Sequence, residues 1–176
     1  LGDLHRVDFT NFAGDESLPP DHWFWDLDRS GGILVEHGVH FFDIYTWLIG
    51  SPPARVTGHR TVRAGTAQED RVVATVEHRN GALATYYHAF DKPSRLEHTS
   101  CLLGFDQGYI RVEGWIALSA EVDAAVSNAQ WHRLAELLPP AFGSDASSGV
   151  PEDQRHARGG GNEYRFDRLA RYRSVL

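Results

Sequence analysis

Apolar and polar positions divide the chain into one helical stretch and a run of strands. Residues 4–12 alternate as a strand, with Val7 and Phe9 on one side of the pleat and Leu4, Asp8 and Phe12 on the other. A loop rich in Gly, Pro and Asp follows to Gly32 and carries Trp23, Phe24 and Trp25. Residues 33–49 form the clearest helix, ended by Gly50-Ser51-Pro52-Pro53, a glycine with prolines just beyond it. The period then changes to 2, predicting strands over 54–63, 71–78, 82–90, 96–105 and 109–115. Asn80-Gly81 reads as a two-residue hairpin turn, in which both positions take positive φ. That turn sets His78 opposite Leu83 and His88 opposite Val73, with the two histidines on opposite faces. One face then carries Val72, Ala74, Val76, Leu83 and Tyr87, and the other Val73, Thr75, Ala84, Tyr86 and His88. Neither is plainly a solvent face, so a second covering from another subunit or domain is expected. Asp106-Gln107-Gly108 marks a second hairpin. Residues 127–138 read as a short helix stopped by Pro139-Pro140, and the tail 163–176 as a strand. The expected fold is α+β: an open, mostly antiparallel sheet with one long and one short helix mainly on one face.

The long helix carries an unusual stripe. At about 100° per residue, Glu36, His40, Asp43 and Trp47 fall within an arc of roughly 60°. Leu34, Phe41, Ile44, Tyr45, Leu48 and Ile49 occupy the opposite, wider arc, with His37 near its edge. A carboxylate one turn from an imidazole suits proton transfer, because it fixes the tautomer and stabilises the imidazolium. A solvated polar face, or a buried and hydrogen-bonded histidine, is the plainer alternative. Metal ligation by Glu36, His37 and His40 is disfavoured, since His37 points roughly 60° away from His40. His88 is kept as a candidate because it shares its face with Tyr86. The histidines at 59, 78, 98, 132 and 156 read as satisfied or exposed.

Composition narrows the classes. The chain of 176 residues has 17 basic and 24 acidic side chains, a formal charge of −7. That balance argues against nucleic acid or an anionic membrane as partner. No apolar stretch approaches the roughly 20 residues of a membrane helix, and no secretory leader opens the chain. A single cysteine, Cys101, excludes an internal disulfide and an all-Cys zinc site. A cytoplasmic setting is therefore expected. No methionine occurs, which reads as an N-terminus trimmed, processed or left out. The one lysine, Lys92, is the single candidate for a lysine base.

The string from Ser30 to Gly50, SGGILVEHGVHFFDIYTWLIG, resembles the start of the C-terminal domain in the glucose–fructose oxidoreductase / inositol dehydrogenase / rhizopine catabolism (Gfo/Idh/MocA) family. That signature runs loosely Gly-Gly-Gly, an apolar pair, Asp-x-Gly-x-His-x-x-Asp, then Trp-Leu and Gly-x-Pro. Trp25, Asp26 and Arg29 also sit where the family has a Trp- and Arg-rich approach to the glycines. The match covers about residues 1–120 in order and is specific over 25–53.

The resemblance implies a domain that supplies substrate contacts and the oligomer interface, paired with an N-terminal Rossmann domain that binds NAD or NADP. It makes His40 the catalytic acid/base, with Glu36 where the family has Asp, one methylene longer. Trp25, Arg29, Asp43 and His88 are the substrate-binding candidates. The dinucleotide fingerprint Gly-x-Gly-x-x-Gly is absent, so 1–176 is expected to be one domain without the Rossmann half, holding no cofactor or metal of its own. The family's catalytic lysine lies in a Glu-Lys-Pro motif upstream of the histidine helix. Asp91-Lys92-Pro93 mimics it but lies downstream between strands, so the role is not carried over. The expected function is the substrate-binding and oligomerisation domain of an NAD(P)-dependent sugar or polyol oxidoreductase, inactive without its cofactor domain. A sugar or polyol and a second copy of the chain, meeting the open sheet face, are the expected partners. The alternatives are a non-catalytic binding or scaffold module, and a metal-dependent hydrolase or isomerase built on Glu36, His40 and His88.

Overall fold

The computed structural model describes residues 1–115, 117, 119–127, 129–130, 133, 142–144 and 159–161. The expected helix over 127–138 lies largely outside these residues, and the expected strand over 163–176 lies wholly outside them. The fold is α+β, a mixed and mostly antiparallel open sheet with one long helix on it. Its strands are β1 (Leu4–Gly14), β2 (Pro53–Val62), β3 (Glu69–His78), β4 (Leu83–Lys92), β5 (His98–Phe105), β6 (Gly108–Glu113) and β7 (Ser119–Ala124). They lie in the order β2-β3-β4-β1-β5-β6-β7, extended by three-residue strands β9 (Gly159–Gly161) and β8 (Phe142–Ser144). β1 enters the middle of the sheet, parallel to β4 and antiparallel to β5.

Two features of the sheet differ from the periodic reading. Val76 pairs with Ala84, Ala74 with Tyr86 and Val72 with His88, one residue out of the expected register. The cause is the turn. Gly81 has φ +88° but Asn80 does not enter the positive region, so the two-residue mirror-image turn is not formed. The loop instead closes through His78 N–H on Ala82 O at 2.8 Å and Gly81 N–H on His78 O at 2.9 Å. The single-residue slip puts Val72, Ala74, Val76, Ala84, Tyr86 and His88 on one face. His78 and His88 therefore lie on the same side, both buried, and the other face of this hairpin is mixed, carrying Arg71, Val73, Thr75, Glu77, Leu83, Thr85 and Tyr87. In β1, an irregularity between Leu4 and Arg6 turns Leu4 into the core beside Val7.

That apolar face is covered by the helix. α2 (Val39–Ile49) continues from a wide i→i+5 turn over Leu34–Gly38 and ends at Gly50, whose φ of +67° lets its N–H reach Thr46 O and Trp47 O at 3.1 Å each. Phe41 and Ile49 pack onto Val7, Phe9, Ala84, Tyr86, Cys101 and Leu103. The Phe9 and Phe41 ring centroids are 4.0 Å apart, and Phe42 meets the edge of Tyr86 at 4.6 Å. Each such fully buried side chain contributes about 1.5–3 kcal/mol. A second cluster, Phe24, Trp25, Ile33, Val72 and Phe90, ties the 15–30 loop to the same face. β2 is exposed along its whole length at the sheet edge.

Candidate functional site

The site begins with two glycines. α1 (Leu27–Ser30) ends at Gly31 with φ +74°, and Gly32 follows at φ +86°. Two successive left-handed residues reverse the chain sharply, a conformation a side chain would strain. A Cβ on Gly32 would also lie 2.8 Å from Glu69 Oε1. That close approach has a purpose: Glu69 Oε1 accepts the Ile33 N–H at 2.9 Å, stabilising the positive end of the helix with a buried carboxylate. Arg60 lies 3.4 Å from the other oxygen. Glu69 lies 36 residues from Ile33, so no local pattern announces it. Its one sequence signal is an acidic residue opening a strand.

The wide turn over Leu34–Gly38 then sets where the stripe points. His37 faces inward, its ring 5.5 Å from Phe41, 5.2 Å from Phe90 and 5.4 Å from His88, with Trp115 stacked at 6.3 Å. His88 is completely buried and also touches Phe9 and Phe41 at 5.2 and 5.6 Å. Neither His88 nitrogen, nor His37 Nε2, has a hydrogen-bond partner among the described residues. Burial holds both rings neutral. It takes His37 down to about 4, with the nearby His40 adding to the effect, and His88 down to about 3, with His37 adding there.

His40 is exposed and stands on the wall of a cavity of about 440 Å³ between α2 and strands β1, β5 and β6. Phe9, Phe41, Tyr45, Leu103, Val112 and Trp115 form much of the remaining wall. Glu36 is half-buried in the wide turn one step before His37. Asp43 and Trp47 are exposed along the helix, Trp47 to 76%. The other candidates are placed apart from the cavity. Trp25 is buried in the second cluster, where its indole N–H donates to Leu18 O at 3.3 Å and the Arg63 guanidinium lies 5.6 Å over its ring. Arg29 is exposed on α1. His88 lies behind the cavity wall, in ring contact with Phe9 and Phe41. Lys92 ends β4, 3.0 Å from Asp91 and 5.6 Å over Phe12. Among the described residues no group of three or more His, Cys, Asp or Glu is placed to hold a metal, and no helix is long and apolar enough to cross a membrane.

An open mixed sheet bearing one helix, with a Glu-x-Gly-x-His turn at the rim of a cavity, defines an α+β sheet domain. Residues 1–111 match the family model for the GFO/IDH/MocA C-terminal domain, and the chain belongs to that family. Among solved structures, levoglucosan dehydrogenase in complex with NADH shares the fold with a TM-score of 0.61 and 18% identity, over 73% of this chain and 38% of that one. An oxidoreductase domain protein from Kribbella flavida gives 0.61 and 19%, over 73% and 38%. UDP-N-acetylglucosamine 3-dehydrogenase from Acidithiobacillus ferrooxidans gives 0.55 and 17%, over 70% and 36%. The chain thus spans less than two fifths of the length of these relatives. No curated relative matches in sequence.

Proposed function

We propose that this chain is the substrate-binding and assembly domain of an NAD(P)-dependent oxidoreductase acting on a secondary alcohol of a sugar or polyol. The observation that carries the reading is the placement of His40, exposed on the wall of a cavity and on a helix pinned at its start by Glu69. In this reading His40 takes the proton of the reacting hydroxyl, and Glu36, four residues earlier, orients the imidazole. The dehydrogenase from Acidithiobacillus ferrooxidans and levoglucosan dehydrogenase act on sugars by their names, and the latter is seen with NADH.

The described residues offer no seat for the pyrophosphate of the nucleotide. No Gly-x-Gly-x-x-Gly loop occurs, and the amide end of the long helix, the natural seat for a pyrophosphate, is already taken by the Glu69 carboxylate. The nucleotide therefore belongs to a separate Rossmann domain. Val35 and Val39, 61% and 47% exposed on the helix that carries His40, offer that domain an apolar surface. The open sheet face, where Val73, Leu83 and Tyr87 stand among Arg71, Thr75, Glu77 and Thr85, is the surface for self-assembly. Calorimetry tests the division of labour. The 176-residue chain alone should bind no NAD or NADP, and the same chain joined to a Rossmann domain of its family should. Micromolar binding by the chain alone would refute the reading.

A further inference from the structure

The cavity beside His40 has the wrong chemistry for a bare sugar. A sugar carries a hydroxyl on nearly every carbon, and each one buried without a partner is costly. The polar side chains lining this cavity are few, namely His40, Tyr45, Thr99, Ser100, Cys101 and the Trp115 indole, and two of them are engaged. The Thr99 hydroxyl donates to Asn11 Oδ1 at 2.7 Å, and the Tyr45 hydroxyl lies beside the Cys101 thiol. What faces the space is aromatic and aliphatic: Phe9, Phe41, Ile44, Leu48, Leu103 and Val112. The space opens to solvent along Ile44, Leu48 and Trp115, 48%, 42% and 56% exposed, so a ligand can enter it from outside and cover that apolar surface. About 440 Å³ of apolar hollow, with one imidazole on its wall, has the size and composition of a small-molecule site.

We propose that this cavity receives an apolar, non-reacting part of the substrate, so that the alcohol acted on is a sugar or polyol bearing an apolar substituent, such as an aryl or alkyl glycoside. The proposal rests on the reading of His40 as the group that meets the reacting hydroxyl. The glycoside presents its secondary hydroxyl to His40 while its aglycone enters between α2 and β5–β6. Ring contacts from Phe9 and Phe41 suit an aromatic aglycone. Specificity then lies in the aglycone, because the cavity rejects hydroxyls that it cannot pair.

The test needs no cofactor. The 176-residue chain is titrated by calorimetry with 4-nitrophenyl β-D-glucopyranoside and with methyl β-D-glucopyranoside. Methyl resonances of Ile44, Leu48, Leu103 and Val112 are followed in parallel. The aryl glycoside should bind about tenfold or more tightly, shifting those four methyl groups. Ile44→Trp, at a half-exposed position on the wall, should remove the preference. Equal affinities, no binding of either, shifts confined elsewhere, or a preference that survives Ile44→Trp would each overturn the proposal. The methyl shifts in the unaltered chain decide the matter even if the variant folds poorly. A two-domain enzyme that turns over a bare sugar through His40, with no gain for the aryl glycoside, would reject the cavity assignment and leave the oxidoreductase reading standing.

Discussion

Acid should destabilise this domain through the buried His88 and the half-buried His37, and His88→Gln should remove about half of that effect. Folding holds His37 near 4 and His88 near 3, against 6.5 for a free imidazole. The unfolded chain therefore binds protons that the folded chain refuses. Stability is full above pH 6.5 and falls as the pH drops toward the folded values. At pH 4.5, two units below 6.5, each histidine removes about 2.5 kcal/mol at about 1.4 kcal/mol per unit, or about 5 kcal/mol together. That is comparable with the whole stability of a small domain. Glutamine is close in size to histidine and does not titrate, so its effect on absolute stability matters less than its effect on the pH slope. Urea unfolding at pH 7 and at pH 4.5, followed by tryptophan fluorescence, gives both. The wild type should lose about 5 kcal/mol more than its carboxylates account for, and His88→Gln about 2.5 kcal/mol less than the wild type. Carboxylate titration cancels in that difference. Identical losses in the two proteins would refute the claim that His88 is buried and neutral.

Two further outcomes follow from single contacts. Gly32→Ala forces a side chain into a left-handed conformation and against Glu69 Oε1, so it should cost about 1–3 kcal/mol by urea midpoint; an unchanged midpoint would remove Glu69 as the anchor of the helix. Burial pushes the Cys101 thiol up to about 11, and the residue is 2% exposed. It should therefore resist Ellman's reagent in the folded protein and react on unfolding; prompt reaction of the native chain would contradict its placement.

The helix and the Glu-x-Gly-x-His spacing were legible because both depend on short-range spacing. Glu36-x-Gly38-x-His40, the Gly50 stop and the apolar arc through Phe41, Tyr45 and Ile49 can be read from consecutive residues. The sheet was legible as strands but not as pairings. Asn80-Gly81 promised a two-residue turn, yet contacts from the far end of the helix decide the loop. His78 Nδ1 lies 2.7 Å from Ser51 O, and the Asn80 N–H donates to Ser51 Oγ at 3.1 Å. These hold the turn one residue wider, and every side chain in the hairpin changes face. β7 and the insertion of β1 beside β4 are likewise settled by partners distant in sequence. At the site, a constant 100° per residue could not foresee the wide turn over Leu34–Gly38. Nor could any local pattern place Glu69 at the head of the helix. Trp25 and Arg29 precede the glycines as the family resemblance implies, but here Trp25 serves the packing of the 15–30 loop.

The proposed role of His40, accepting the proton of a nucleotide-dependent alcohol oxidation, is tested most directly by His40→Ala in the chain joined to a Rossmann domain of its family. Steady-state turnover with the preferred alcohol is measured alongside NAD or NADP affinity by calorimetry. Turnover should fall by about 10²–10⁴ with cofactor affinity nearly unchanged. Turnover equal to that of the unaltered enzyme would contradict that role.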